Sequence, residues 1–63
     1  MKLLIVDDEK LFRWSVSKTL GKAGYQTLEA GTVKDAKQTI IAEEPEIILL
    51  DINLPDGNGV EVL

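Results

Sequence analysis

Apolar runs alternate along this chain with stretches whose apolar residues recur every three or four positions. The runs predict three β-strands, at Lys2 to Val6, Tyr25 to Glu29 and Glu46 to Asp51. The third contains four consecutive apolar residues, IILL, which is typical of a strand covered on both faces in a parallel sheet. Strands that alternate with helices predict an α/β fold with right-handed crossovers.

The first helical stretch begins at Lys10, and Lys22 and Gly24 predict its end. Its apolar residues form one stripe that we expect to face the sheet: Phe12, Val16, Leu20 and Ala23. Trp14 lies about 200° from Phe12 around the helix and is predicted to face away from that stripe. An exposed tryptophan either covers the protein's own surface or anchors a partner.

The second helical stretch begins at Thr32, which together with Asp35 resembles a capping box, and runs to about Glu43. Its predicted inward residues are Val33, Ala36 and Ile40. Pro45 prevents further helix and leads into the third strand. After Pro55 the residues Asp56-Gly57-Asn58-Gly59 predict a glycine-rich loop, and Val60 to Leu63 predict the first turn of a third helix.

Composition narrows the possible functions. The 63 residues include no cysteine and no histidine, so disulfides, thiolate chemistry and the commonest zinc ligand are missing. A chain without disulfides fits the cytoplasm. The net charge of -4, with scattered basic residues, disfavours direct contact with nucleic acid. The apolar run LLIV is too short to span a membrane.

Acidic residues follow two of the predicted strands. Asp7 and Asp8 end the first strand, and Asp51 ends the third. Carboxylates that converge repel one another unless a cation lies between them, and oxygen ligands favour Mg²⁺. Each residue also has an ordinary structural interpretation, since Asp7 or Asp8 could cap the first helix and Asp51 could form a turn. All three at the ends of neighbouring strands are harder to explain in that way.

These motifs together resemble the receiver domain of two-component response regulators: LLIVDDE, a helix ending in AGY, and IILLDINLPDGNG. The resemblance covers the whole chain and implies the flavodoxin-like fold, whose sheet has the strand order 2-1-3-4-5 and helices on both faces. Residues 1–63 correspond to the amino-terminal half of that domain, β1-α1-β2-α2-β3 and the start of α3. The family's fourth and fifth strands, with the residues that contact the phosphoryl group, have no counterpart in these 63 residues.

The resemblance implies that Asp51 accepts a phosphoryl group from a phosphohistidine on a sensor histidine kinase. It also implies that Asp8 binds Mg²⁺ directly, that Asp7 acts through water, and that the backbone carbonyl of Asn53 is a third protein ligand. Pro55 and Gly59 match the residues that shape the following loop. Gly57 stands where the family often has a larger apolar residue, which predicts a looser loop.

Receivers meet their kinases through the first helix, and the run LFRWS there resembles enhancer-binding regulators of the nitrogen-regulation type. This subtype would imply a transcription regulator with further domains. We expect a switch that is a substrate of its kinase and not a turnover enzyme.

Two other functions remain open. With the order 2-1-3, the third strand is an apolar edge, which predicts a half-domain that self-associates through that strand and forms a homo-oligomer without phosphotransfer. An aspartate-nucleophile phosphatase is less favoured, because such enzymes pair the nucleophile with a second acid two residues later, where this chain has Asn53.

Overall fold

The structure is a computed structural model that describes residues 1–62. Its main sheet has three parallel strands, β1 (Lys2–Val6), β2 (Gln26–Ala30) and β3 (Ile47–Leu50), in the order β2-β1-β3. Helix α1 (Lys10–Lys22) joins the first two strands, and helix α2 (Val33–Glu43) joins the second to the third. A hairpin of β4 (Asn53–Leu54) and β5 (Gly57–Asn58) and a 3-10 helix (Gly59–Val62) complete the described chain.

Strand β1 is the centre of the molecule, and helices lie on both faces of the sheet. Its residues Leu3 to Val6 are at most 3% exposed, as expected for a parallel strand that is covered on both sides. One face packs against α2, the hairpin and the 3-10 helix through a single apolar core: Leu4, Val6, Ala30, Val33, Ala36, Leu54 and Val62. Helix α1 lies on the other face, mainly over β2 and β1.

The structure confirms the alternating α/β architecture and both helices. The predicted ends of the second and third strands were wrong by one residue each: β2 includes Ala30 and not Tyr25, and β3 excludes Glu46 and Asp51. Ala30 pairs with Val6 and is 4% exposed, so burial of its small side chain extends the strand beyond the predicted turn.

The apolar stripe of α1 was only partly correct. Val16 and Leu20 are half-buried, but Phe12 is 52% exposed and Ala23 is also exposed, and α1 has no buried residue. A helix is about 10 Å wide and strands lie about 4.8 Å apart, so one helix covers about two strands. Because α1 lies over β2 and β1, its Phe12 side borders an uncovered part of the sheet at β3.

The predicted ends of both helices agree with the structure. Gly24 has φ +102, and the N–H of Tyr25 donates to the carbonyl of Leu20 at 3.2 Å, which is the pattern of a Schellman C-cap. Thr32 caps α2, since its hydroxyl accepts from the N–H of Asp35 at 3.0 Å. Among residues 1–62, no helix is long and apolar enough to cross a bilayer.

The segment after β3 is more ordered than the sequence predicted. Of residues 56–59, expected as a loose loop, the first three belong to the β4–β5 hairpin and its turn, with Leu54 opposite Gly57, and Gly59 begins the 3-10 helix. Leu54 is 8% exposed and belongs to the core, so its burial fixes the hairpin. The predicted third helix begins as the 3-10 helix Gly59–Val62, and its predicted residue Leu63 lies outside the described residues.

Candidate functional site

The parallel register brings the predicted acidic residues to one edge of the sheet. Val6 pairs with both Ala30 and Leu50, so all three strands end at the same level. The backbone hydrogen bonds continue one residue beyond the strands. The N–H of Asp51 donates to the carbonyl of Val6 at 2.8 Å, and the N–H of Asp7 donates to the carbonyl of Ala30 at 3.0 Å. Asp7 and Asp51 are therefore held by main-chain hydrogen bonds at the carboxyl edge.

Asp7, Asp8 and Asp51 form one cluster. Each offers a carboxylate oxygen, and these oxygens all lie within 4.8 Å of one another. Asp7 and Asp51 are half-buried and Asp8 is exposed. The structure therefore brings together the three carboxylates that the sequence placed at two strand ends.

Local hydrogen bonds orient two of these carboxylates. Oδ1 of Asp7 accepts from the N–H of Glu9 at 2.9 Å, and Oδ1 of Asp51 accepts from the N–H of Asn53 at 3.3 Å. Within residues 1–62 their second oxygens have no hydrogen-bond donor, so they are available to a ligand. Neither Asp7 nor Asp8 is the N-cap of α1, because Glu9 holds that position without a side-chain cap bond.

The donor set fits a hard divalent cation. Two ligands of one Mg²⁺ ion, bound at about 2.1 Å each, lie at most about 4.2 Å apart, so the separation of up to 4.8 Å suits a site completed partly by water. Mg²⁺ ordinarily keeps several waters and few carboxylates. The site also opens beside an apolar groove of about 400 Å³ that is lined by Ile5, Phe12, Val16 and Leu49.

Arg13 is a part of the site region that sequence reasoning missed. Its Nη1 donates to the backbone carbonyl of Asp7 at 2.5 Å, and its Nε donates to Glu29 at 3.3 Å. Its guanidinium also packs against Gly31, where a Cβ would lie 2.9 Å from Nη1. Arg13 thus ties the acidic turn to β2 and to the turn after it. The signal in the sequence was an arginine four residues, about one helical turn, after Glu9.

Asp56 is a second residue that sequence reasoning did not single out. Its carboxylate accepts from the N–H of Val33 at 2.7 Å and from that of Lys34 at 3.1 Å. The hydrogen bond from Val33, followed by that from Lys34, lowers the pKa of Asp56 below its ordinary value. These contacts join residues 23 and 22 positions apart, and no short-range sequence pattern predicts them.

The fold and the site together define a flavodoxin-like α/β protein with a carboxylate cluster at the carboxyl edge of its sheet. Comparisons with known proteins agree. The chain matches the model of the response regulator receiver domain over residues 3–63, and it belongs to that family.

Two curated relatives match nearly the whole of this chain. The chain is 37% identical over 62 residues to sporulation initiation phosphotransferase F of Bacillus subtilis (strain 168). That alignment covers 98% of this chain and 50% of the relative. The chain is 42% identical over 60 residues to the phosphate regulon transcriptional regulatory protein PhoB of Pseudomonas aeruginosa. That alignment covers 95% of this chain and 26% of the relative.

The solved structures show the same fold. The BeF3-activated N-terminal receiver domain of Klebsiella pneumoniae RstA matches with a TM-score of 0.91 and 27% identity, over 98% of this chain and 53% of that one. The chain therefore spans about half the length, or less, of the proteins that it matches.

Proposed function

We propose that this chain is the phosphoacceptor part of a two-component response regulator, with Asp51 as the residue that receives the phosphoryl group. The observation that carries the proposal is the cluster of Asp7, Asp8 and Asp51, whose carboxylate oxygens lie within 4.8 Å of one another at the carboxyl edge of the sheet. Ligands of α/β sheets bind at this edge.

The donor atoms favour a Mg²⁺ site made of Asp7, Asp8, Asp51 and the backbone carbonyl of Asn53. The N–H of Asn53 points to Asp51, and in an antiparallel strand the carbonyl of the same residue lies on the same side as its N–H. The bound ion would neutralise the carboxylates and stabilise the charge on the phosphoryl oxygens.

In the proposed transfer, an oxygen of Asp51 attacks the phosphorus of a phosphohistidine. The new O–P bond forms as the P–N bond breaks, and the electron pair of that bond stays on the imidazole nitrogen. The Asn53 N–H holds Oδ1 of Asp51, which leaves Oδ2 as the attacking atom. The chain acts here as the substrate of a kinase and not as a turnover enzyme.

The test is phosphorylation by acetyl phosphate with Mg²⁺, followed by intact mass spectrometry. We expect the wild-type chain to gain one phosphoryl group, and Asp51→Asn to gain none. Asp35→Asn is the matched control, since Asp35 is an exposed aspartate on α2 and remote from the cluster in the sequence. A modified Asp51→Asn chain would contradict the assignment.

The outer surface of α1 supports a sensor histidine kinase as partner. Leu11 is 77% exposed and Trp14 is 56% exposed, and together with Lys10 they line an apolar depression. Lys18 Nζ lies 4.8 Å from the centroid of the Trp14 ring, a distance at which a cation and an aromatic face attract each other. The exposure of Leu11 and Trp14 favours the anchor interpretation of Trp14 over that of a surface cover.

This contact can be tested apart from the chemistry. We expect Trp14→Ala to slow phosphoryl transfer from a phosphorylated histidine kinase and to leave the reaction with acetyl phosphate unchanged. Ile41→Ala is the control, because Ile41 is an apolar residue of α2 that is 81% exposed. Equal rates for Trp14→Ala and wild type with the kinase would exclude this role.

The enhancer-binding subtype rests on LFRWS alone and stays a prediction, as does cytoplasmic localisation.

A second candidate function is self-association through β3, which has a neighbouring strand on one side only within residues 1–62. Its Leu49 is 42% exposed beside Phe12, which is 52% exposed, in the groove of about 400 Å³. Antiparallel pairing of two β3 strands would give a six-stranded sheet and place the two Asp51 residues at opposite edges.

Sedimentation velocity over a range of concentrations tests this second candidate. We expect a dimer that Leu49→Lys disrupts and Asp51→Asn leaves intact. A monomer at every concentration would contradict it without affecting the phosphoacceptor proposal.

The net charge of -4 favours a protein over a nucleic acid as the partner of this chain.

A further inference from the structure

Two different residues satisfy free backbone donors in the first turn of α2. The first four N–H groups of a helix, counted from its N-cap residue, have no partner within the helix. Here Asp56 accepts from Val33 at 2.7 Å and from Lys34 at 3.1 Å, and the hydroxyl of Thr32 accepts from Asp35 at 3.0 Å. The local cap Thr32 therefore serves the N–H of the third helical residue, and Asp56 serves those of the first two.

Asp56 reaches this helix from the tip of the β4–β5 hairpin. Asn53 pairs with Asn58 and Leu54 with Gly57, so Pro55 and Asp56 form the two-residue turn. The hairpin starts two residues after Asp51. Its first residue is Asn53, whose N–H donates to Asp51 at 3.3 Å. One end of this small unit thus contacts the acidic cluster, and the other end is bound to α2.

Several contacts hold the base and the inner side of the hairpin. Leu54 packs in the core, and the N–H of Gly59 donates to the carbonyl of Ile52 at 2.7 Å. Gly57 lies beside α2, since a Cβ there would be 3.4 Å from Cγ2 of Val33. At the tip, Asp56 adds two hydrogen bonds to successive N–H groups, and a bidentate contact to a charged acceptor restrains direction as well as distance.

We propose that Asp56 is a positioning residue for the acidic cluster: by binding the first turn of α2 through both carboxylate oxygens, it sets the tilt of the hairpin and hence the place of the Asn53 backbone beside Asp51. This inference rests on the proposed Mg²⁺ site, to which Asn53 contributes its carbonyl. Some residues orient a metal ligand by hydrogen bonding without binding the metal themselves. Removing such a residue typically weakens metal affinity by about 10-fold or more.

The experiment compares three variants of the full chain, Asp56→Ala, Asp56→Asn and Thr32→Ala. Thr32→Ala is the matched control, because it removes a cap from the same helix turn without touching the hairpin. We expect Asp56→Ala and Thr32→Ala each to lower the urea midpoint of unfolding. Asparagine keeps one carbonyl oxygen as an acceptor, so Asp56→Asn should lie between Asp56→Ala and wild type.

Mg²⁺ affinity, measured by isothermal titration calorimetry, separates positioning from simple helix capping. We expect Asp56→Ala to weaken it about 10-fold, Asp56→Asn to weaken it less, and Thr32→Ala to leave it unchanged. Wild-type affinity in Asp56→Ala, or an equal loss in Thr32→Ala, would overturn the inference.

A second readout needs no metal. Hydrogen exchange of the Asn53 amide, measured by NMR without Mg²⁺, should be faster in Asp56→Ala and unchanged in Thr32→Ala. Unchanged exchange in Asp56→Ala would overturn the inference. If the wild-type chain bound no Mg²⁺, the proposed function would fail, and this amide would still decide whether Asp56 positions the hairpin.

Discussion

Among the glycines whose φ is not positive, Gly59 is the one whose replacement by alanine should most disturb the edge of the sheet that carries Asp7, Asp8 and Asp51. A Cβ on Gly59 would lie 2.9 Å from the carbonyl carbon of Asp51 and 3.2 Å from Cα of Ile52, and closer still to the carbonyl oxygen of Asp51. These are backbone atoms, which cannot rotate away as a side chain could. The base of the hairpin would have to open.

The cost follows from the contacts. Overpacking of a close-packed site costs about 1–3 kcal/mol, and the value here should be near the upper limit because only backbone movement relieves it. A chain of this length has a stability of roughly 3–9 kcal/mol. A displaced Asn53 should also weaken Mg²⁺ binding at the proposed site.

Urea unfolding followed by circular dichroism measures the first effect, and calorimetric titration with Mg²⁺ measures the second. Gly21→Ala is the matched control, since a Cβ there meets nothing within 4 Å. It should stabilise the chain by about 0.5–1 kcal/mol, because alanine is the better helix former in α1. A free energy of unfolding of Gly59→Ala within about 0.5 kcal/mol of the wild-type value would contradict the close approach of Gly59 to the backbone of Asp51.

Three further predictions concern the core, the acidic turn and acid stability. Leu4→Ala should cost about 2–5 kcal/mol in urea unfolding, because Leu4 is fully buried. Arg13→Ala should cost about 1–2 kcal/mol and Arg13→Lys should not restore it, since only the guanidinium bridges Asp7 and Glu29. Because the folded pKa of Asp56 is lowered, its stabilisation is present above its unfolded pKa and lost as the pH falls through the folded pKa. The urea midpoint should therefore fall more on acidification in wild type than in Asp56→Asn.

Local patterns were sufficient for the elements of the fold. The capping residues Thr32 and Gly24 marked where helices begin and end, and each acts on donors or carbonyls within a few residues. The same holds for the acidic cluster: strands that run parallel must end at one edge, so Asp7, Asp8 and Asp51 had to converge once the strand order was right.

Periodicity was less informative about burial. It assigned Phe12 to the inward stripe, and the structure leaves that residue half exposed at the border of the groove. A helical stripe shows which side of a helix is apolar, but the width of the sheet beneath it depends on how many strands are present. The hairpin after β3 was missed for a related reason, since its two-residue strands are too short to show alternation.

The sequence by itself determined the alternating order of strands and helices, both helix caps and the three carboxylates of the cluster, because each depends on residue type and short-range spacing. Only the tertiary structure decided that Arg13 binds the acidic turn and that Asp56 caps a helix 22 residues earlier in the chain. These contacts join residues that are distant in the chain, and a linear pattern carries no information about which distant donor a carboxylate will meet.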